Sequence, residues 1–283
     1  MVVQRPRPSW RSLLLAAFAA TVASGCFMSA VRAECTGDDG GSSLVADIRG
    51  GDTLILEDGR SARLAGVLLP KRTGGSGVAA EARTGAEKAV ADLIAGQKVE
   101  LRLDSGHRDR YGRLLAQIFV TKDGQRVWVQ ERLIASGLAR VISSKDNRLC
   151  VPELLAVEKT ARETGQGQWR TGLFSVKAAS SEDMLLGLAQ SYEIVEGRIE
   201  NVAEVRGRTY LNFGRNWRRD FTVMVPSDAA KLFAGQTDLA GLKGRLVRVR
   251  GWIEDVNGPS ISLTHPEQLE ILEGGALSQR STP

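Results

Sequence analysis

Short β-rich runs separated by glycine-containing turns recur along most of this chain of 283 residues. The turn motifs Asp58-Gly59 and Asn257-Gly258 are typical of hairpins. In each of two blocks, 44–171 and 187–273, about five such runs occur with one or two helical patterns, the clearest of which covers 78–95. This order predicts a mainly β protein with some α-helix, in which one OB-fold β-barrel is followed by a second small OB-like β-barrel. Small β-barrels of other types remain open from the spacing alone.

The segments outside these blocks have different compositions. Residues 172–186 are rich in Ser, Ala and Lys without strong periodicity, so we expect a linker there. Residues 274–283 predict a disordered tail, and residues 1–33 read as a leader. The leader contains a run of eleven apolar or small residues, 13–23, preceded by three arginines. About 20 residues are needed to span a bilayer, so this run predicts a signal peptide, with a cleavage site at Val31-Arg32-Ala33.

The signal peptide predicts a periplasmic or secreted protein without a transmembrane segment in its mature form. A second interpretation stays open, because Ala23-Ser24-Gly25-Cys26 resembles a bacterial lipobox, in which Cys26 would carry a lipid anchor.

Removal of the signal peptide would also change the net charge of the protein. The net charge of the whole chain is +5, but residues 1–33 carry four arginines and no acid, which leaves about +1. Bulk charge therefore does not indicate nucleic-acid binding, and only local basic patches can.

The chain has three cysteines, Cys26, Cys35 and Cys150. Cys35 and Cys150 remain together after either kind of processing. In an oxidising compartment such a pair predicts a disulfide, which would tie the mature N-terminus to the segment that begins at Cys150. Two free structural thiols are the alternative.

Five strings occur in the first block in a fixed order. The strings are Gly51-Asp52-Thr53, Arg63-Leu64-Ala65-Gly66-Val67 with Pro70, Asp109-Arg110-Tyr111-Gly112-Arg113-Leu114-Leu115-Ala116, Leu133-Ile134-Ala135-Ser136-Gly137-Leu138-Ala139, and Gly165-Gln166-Gly167-Gln168-Trp169. The most specific of them is Asp-Arg-Tyr-Gly-Arg before a β-run. Together they resemble the staphylococcal nuclease (thermonuclease) family, over about residues 44–170. The resemblance implies an OB-fold enzyme that cleaves DNA and RNA with the help of calcium.

The resemblance assigns roles to individual positions. Asp52 falls on a metal-binding aspartate, and Arg63 and Arg113 fall on the two catalytic arginines. Arginines suit this chemistry because they donate paired hydrogen bonds to phosphoryl oxygens as negative charge builds there. Arg110 and Tyr111 belong to the same motif, and we assign them to substrate binding. The alternatives are a salt bridge across the barrel mouth for Arg63 and packing for Tyr111.

Two positions depart from the family pattern in a way that affects catalysis. Leu68 stands at the second metal aspartate, and Lys71 stands at the glutamate that activates water. Leucine cannot bind calcium, which takes 6–8 oxygen ligands, and an ammonium reverses the charge of the base. We therefore expect weak Ca²⁺ binding and a degenerate phosphodiesterase site that still binds nucleic acid. Asp47 and Glu81 are the candidates that could replace a lost carboxylate.

The second block carries a basic segment, 206–219, in which five arginines are interleaved with aromatic residues. Aromatic platforms with cations beside them are how many OB-folds hold single strands. We assign Arg208, Tyr210, Arg215 and Trp217 to substrate binding, with a core position for Tyr210 as the alternative. The two histidines, His107 and His265, show no ligand spacing and are expected to be solvated.

Three functions from different classes are compatible with these residues. The first is an exported nucleic-acid-binding protein with a degenerate nuclease site. The second is an active calcium-dependent endonuclease with a rearranged site, and the third is a non-catalytic envelope protein that uses two barrels as interaction surfaces. The departures at Leu68 and Lys71 favour the first over the second, and the retained Asp52, Arg63 and Arg113 disfavour the third.

Overall fold

The computed structural model describes residues 35–70 and 77–272, together with Met1, except for the side chains of 105–107. The predicted signal peptide, Cys26, Lys71, the side chain of His107 and the predicted tail 274–283 lie outside these described parts. Among the described residues, no helix has the length and apolar character needed to cross a membrane.

The described residues between 35 and 171 form eight strands and four helices. These elements are β1 (Asp38–Arg49), β2 (Thr53–Leu56), β3 (Ser61–Leu64), β4 (Val67–Leu68), α1 (Gly77–Ile94), β5 (Lys98–Arg108), β6 (Leu114–Lys122), β7 (Gln125–Trp128), α2 (Val129–Ala135), β8 (Arg140–Val141), α3 (Val151–Glu163) and α4 (Gln168–Thr171).

Five of these strands close into a barrel. The hydrogen-bonded order is β3-β2-β1-β5-β6, and β6 returns to pair in parallel with β3. Alternate side chains point inward, so Leu54, Leu101 and Ile118 are fully buried in one core. The ring of strands with one parallel pair confirms the OB-like barrel predicted for this part of the chain.

The predicted disulfide is also present. Cys35 and Cys150 are bonded, with their Cα atoms 5.4 Å apart and a separation of 115 positions in the sequence. Both cysteines are buried. The bond ties the residues just before β1 to the start of α3, which agrees with the predicted link to the segment that begins at Cys150.

The remaining described residues form a second β-rich body. Its elements are β9 (Val176–Ala178), α5 (Glu182–Gly187), β10 (Tyr192–Arg198), β11 (Asn201–Val205), β12 (Arg208–Asn212), β13 (Thr222–Val225), α6 (Ser227–Phe233), β14 (Leu246–Trp252), β15 (Glu254–Asp255), β16 (Pro259–Ser262) and β17 (Leu269–Leu272), with 3₁₀ turns at Ala240–Leu242 and Pro266–Gln268.

Two sheets enclose the core of this second body. One has the order β17-β14-β10-β9, and the other has the order β11-β12-β13-β16-β15. The chain passes directly from β10 into β11 and from β14 into β15, which joins the two sheets. With these pairs taken as continuous strands, the order around the core repeats that of the first barrel, including one parallel pair, β13 and β16. A second OB-like arrangement follows from this order.

The segment 172–186 differs from the linker that its composition predicts. It contains β9, which pairs in parallel with β10, and α5, in which Leu185 is fully buried. Phe174 is buried as well. The segment has too few apolar residues to produce a periodic pattern, and its structure comes from contacts with residues distant in sequence.

Buried or half-buried ion pairs connect the two barrels. Arg140 on β8 contacts Glu193 on β10 at 3.3 Å, and Arg148 contacts Glu267 at 2.6 Å. His265 lies in the same contact, with its ring nitrogens 2.6 Å from the Ser143 hydroxyl and 2.9 Å from the Thr264 hydroxyl. The expectation that His265 is solvated is wrong, because only 1% of it is exposed.

Candidate nucleic-acid interface

Three of the predicted site residues meet at one end of the first barrel. Asp52 immediately precedes β2, Arg63 lies on β3, and Arg113 immediately precedes β6. Strand β3 pairs with both of the other strands, and Arg63 is the register partner of Thr53 on β2. The closed barrel therefore brings together residues that are far apart in the sequence.

A chain of hydrogen bonds links these side chains. Arg63 donates from Nε to Oδ2 of Asp52 at 3.0 Å, and the Thr53 hydroxyl donates to Oδ1 of Asp52 at 3.0 Å. The same hydroxyl accepts a hydrogen bond from Nη1 of Arg113 at 3.0 Å. Both carboxylate oxygens of Asp52 are thus already engaged, and the two guanidinium groups are held on either side of Thr53.

Asp109 orients Arg113 from the other side. Its Oδ2 accepts from Nε of Arg113 at 2.8 Å and lies 2.7 Å from Nη2, while its Oδ1 accepts the backbone N–H groups of Tyr111 and Arg113. Burial acts to raise the pKa of Asp109, but these hydrogen bonds outweigh it and hold the pKa below its usual value. Asp109 is therefore both the turn residue and the carboxylate that fixes the arginine.

Tyr111 projects from this turn into solvent. Its side chain is 71% exposed, so packing in the barrel does not account for it. The guanidinium carbons of Arg110 and Arg113 each lie 5.3 Å from the ring centroid. An exposed aromatic ring with two cations close to it can stack on a base while the cations contact phosphate.

A comparison with protein families agrees with this geometry. Residues 61–171 match the family model described as staphylococcal nuclease homologue. This segment is a staphylococcal nuclease homologue domain. The match includes Arg63 and the Asp109–Arg113 turn. Asp52 precedes the matched residues and lies between β1 and β2. No curated protein matches the chain.

The described residues of the nuclease homologue domain do not fit a calcium ion. Leu68 on β4, which the family resemblance aligns with a carboxylate, has no oxygen to offer, and each carboxylate oxygen of Asp52 already accepts a hydrogen bond, one from Arg63 and one from Thr53. Within residues 35–70 and 77–272, no group of three or more His, Cys, Asp or Glu side chains is placed to hold a metal. The two candidate replacements do not change this, since Asp47 pairs with Arg49 and Glu81 points outward on α1.

An arginine on α1 connects two loops of this domain. Arg83 donates to the backbone carbonyls of Gly50 and Pro70, the latter at 3.1 Å, and to Oε1 of Glu87 at 2.7 Å. Sequence analysis missed Arg83, because its partners lie 13 and 33 residues away.

Three of the four residues predicted to bind substrate in the second barrel lie together, and the fourth lies apart from them. Arg208, Tyr210 and Trp217 line one groove on the sheet that contains β11, β12 and β13, whereas Arg215 lies exposed in the loop after β12 and does not line it. Tyr210 is on the outer face of β12, because the next residue, Leu211, is fully buried. The core alternative for Tyr210 is therefore excluded.

Proposed function

We propose that this protein is an exported nucleic-acid-binding protein whose nuclease homologue domain retains phosphate recognition and has lost phosphodiester cleavage. The observation that carries the proposal is the array in which Asp52, Thr53 and Asp109 hold Arg63 and Arg113, while Leu68 stands where a carboxylate is needed. The second-barrel residues Arg208, Tyr210, Arg215 and Trp217 are proposed as further substrate contacts.

The array suits binding for a physical reason. Arginine presents a planar fork of donors that matches two phosphate oxygens, and fixing the fork in advance lowers the entropy lost on binding. Thr53 and Asp109 fix Arg113 in this way, and Asp52 fixes Arg63. Cleavage would further require a group that takes a proton from the attacking water. Lys71, at the position of that base, carries a charge that attracts phosphate and offers no carboxylate.

Export is supported by two independent features. The leader 1–33 has the pattern of a signal peptide, and the buried disulfide between Cys35 and Cys150 is of the kind maintained in oxidising compartments. The proposed location is the periplasm or the medium.

The experiment measures cleavage and binding on the same purified protein. Labelled DNA and RNA are incubated with calcium or with a chelator, and binding is measured by fluorescence anisotropy in the chelator. We expect little cleavage in either condition and salt-dependent binding that weakens in Arg113→Ala and Arg63→Ala. Arg126→Ala is the matched control, because the side chain of Arg126 on β7 is 44% exposed, close to the 37% of Arg63, and pairs with Glu100 on β5 at 3.1 Å outside the arginine array.

Two results would contradict the proposal. Calcium-dependent cleavage that disappears in Asp52→Ala would show that the domain is an active endonuclease. Failure of the wild type to bind any nucleic acid at low salt would favour the alternative function, a non-catalytic protein that binds other partners through its two barrels.

A further inference from the structure

The groove in the second barrel is an open, mainly apolar cleft of about 560 Å³. Its floor is the outer face of the sheet formed by β11, β12, β13 and β16. One wall is the loop after β12, which carries Trp217, and this loop packs against the β15–β16 turn, where Gly258 touches the backbone of Arg219. Trp217 is 50% exposed and faces this cleft.

Strand register arranges the floor in two rows. Ala203, Tyr210, Met224 and Ser262 are successive partners across four strands and form a mainly apolar row, which contains one aromatic ring and ends at a serine. The next row consists of Asn201, Asn212, Thr222 and Ser260, which are likewise partners across the same strands. An aromatic platform therefore lies directly beside a line of uncharged hydrogen-bonding side chains.

This pairing of surfaces matches an unpaired nucleobase. A base has flat faces that stack on aromatic rings and an edge that exchanges hydrogen bonds with amides and hydroxyls. We propose that the groove binds single-stranded nucleic acid, with a base held against Tyr210 and Trp217 and its edge toward the polar row. In a duplex the faces of the bases are stacked and their edges are paired, so a duplex does not present them to such a groove.

The charges around the groove agree with a polyanionic chain. Arg208 lines it, Arg206 lies in the turn beside Arg208, and Arg215, Arg218 and Arg219 lie in the loop that forms the wall. The guanidinium carbon of Arg218 is 4.5 Å from the centroid of the Trp217 ring, so the ring already carries one cation against it. Glu254 lines the groove from β15 and Asp255 follows it, so these two acids bias the phosphates toward the loop, where Asp220 and the Asp183 partner of Arg219 offset part of the positive charge.

The groove is separate from the arginine array of the nuclease homologue domain. That domain contacts the other sheet of the second barrel, through Glu193 on β10 and Arg250 on β14. This inference rests on the proposed function and deepens it, since it names the strandedness of the nucleic acid and a second place that binds it.

The test compares a fluorescein-labelled oligothymidylate of about 15 nucleotides, near the upper limit of the site size of an OB-fold, with a duplex of the same length. Dissociation constants of the full protein are measured by anisotropy in a chelator. We expect preference for the single strand, and a loss of roughly tenfold to hundredfold in affinity for Trp217→Ala and for Tyr210→Ala. Trp252→Ala is the matched control, because Trp252 is similarly exposed on the other sheet.

Circular dichroism establishes that each variant is folded. Because Trp217 is half exposed, its substitution is expected to leave the packing of the hydrophobic core unchanged. If both groove variants bind the oligonucleotide as well as the wild type does, while Arg113→Ala weakens binding, the groove proposal is overturned and the proposed function survives. If the wild type binds neither form of nucleic acid, both are overturned. Capture of an uncharged Leu- and Pro-rich peptide, without capture of the oligonucleotide, would also overturn the groove proposal.

Discussion

Glu158 and Arg250 face each other at 2.8 Å across the contact between the two barrels, with side-chain exposures of 0% and 6%. Glu158 also accepts the backbone N–H of Val141 at 2.7 Å, and Arg250 donates to the carbonyl of the same residue at 3.4 Å. One buried ion pair thus holds α3, β8 and β14 together. Burial makes this pair sensitive to the loss of either member.

Substitution of Glu158 with Ala is expected to lower the free energy of unfolding by about 3–5 kcal/mol, because it leaves the Arg250 charge buried without its partner. Denaturant unfolding measures the change. Glu163→Ala, on an exposed position of the same helix, should change stability by no more than about 0.5 kcal/mol. The double variant Glu158→Leu, Arg250→Met should be more stable than Glu158→Ala, and equal or lower stability would argue against the buried-charge explanation.

Removal of the disulfide by Cys35→Ser with Cys150→Ser should lower the free energy of unfolding by about 2–5 kcal/mol, because the bond closes a loop of 115 residues in the unfolded chain. Denaturation with and without reductant measures this effect. Reductant should destabilise the wild type and leave the double variant unchanged. Equal stability of the oxidised and reduced wild type would contradict the expectation.

The paired substitution Leu68→Asp with Lys71→Glu introduces carboxylates at the two positions where the family resemblance expects them. It should confer calcium-dependent cleavage of DNA, because loss of a general base alone typically costs about 10²–10⁴-fold in rate. A nuclease assay with calcium or a chelator measures the gain. The control Leu68→Asn with Lys71→Gln has similar shapes without the charges and should stay inactive, as should the restored protein with Asp52→Ala. Cleavage by the control would show that carboxylates are not what the site lacks.

His265 should make stability dependent on pH. Burial lowers the pKa of His265 to about 4, with Glu267 acting to raise it and Arg148 to lower it. Between pH 6.5 and 4 the unfolded chain therefore binds more protons than the folded protein. The free energy of unfolding is at its full value above about pH 6.5 and decreases as the pH falls toward 4. The decrease amounts to roughly 3 kcal/mol.

Thermal unfolding across this range measures the effect, and His265→Asn should have a flatter pH dependence than the wild type. The remaining histidine supplies the control, since His107→Asn should keep the steep dependence. Parallel curves for the wild type and His265→Asn would show that other groups cause it.

Local sequence determined the parts of this protein whose contacts are close along the chain. The turn at 109–113 forms because Asp109 accepts hydrogen bonds from residues two and four positions later, and the positive φ angle of Gly112, 77°, completes it. Because these hydrogen bonds join residues within five positions, the local sequence is enough to form this turn. The mainly β composition, the cysteine pair and the absence of a carboxylate at position 68 are equally direct consequences of the residues present.

Tertiary structure decided what depends on distant partners. The two rows of the groove exist only because four strands align in one register, and Tyr210 reaches the outer face by that alignment. Burial of His265 requires Ser143, which lies 122 residues away, and Arg83 finds its carbonyl acceptors only once α1 packs against the barrel. A residue's neighbours in sequence fix a turn through short-range hydrogen bonds, whereas burial and register arise from the packing of the whole chain, to which any single stretch contributes little.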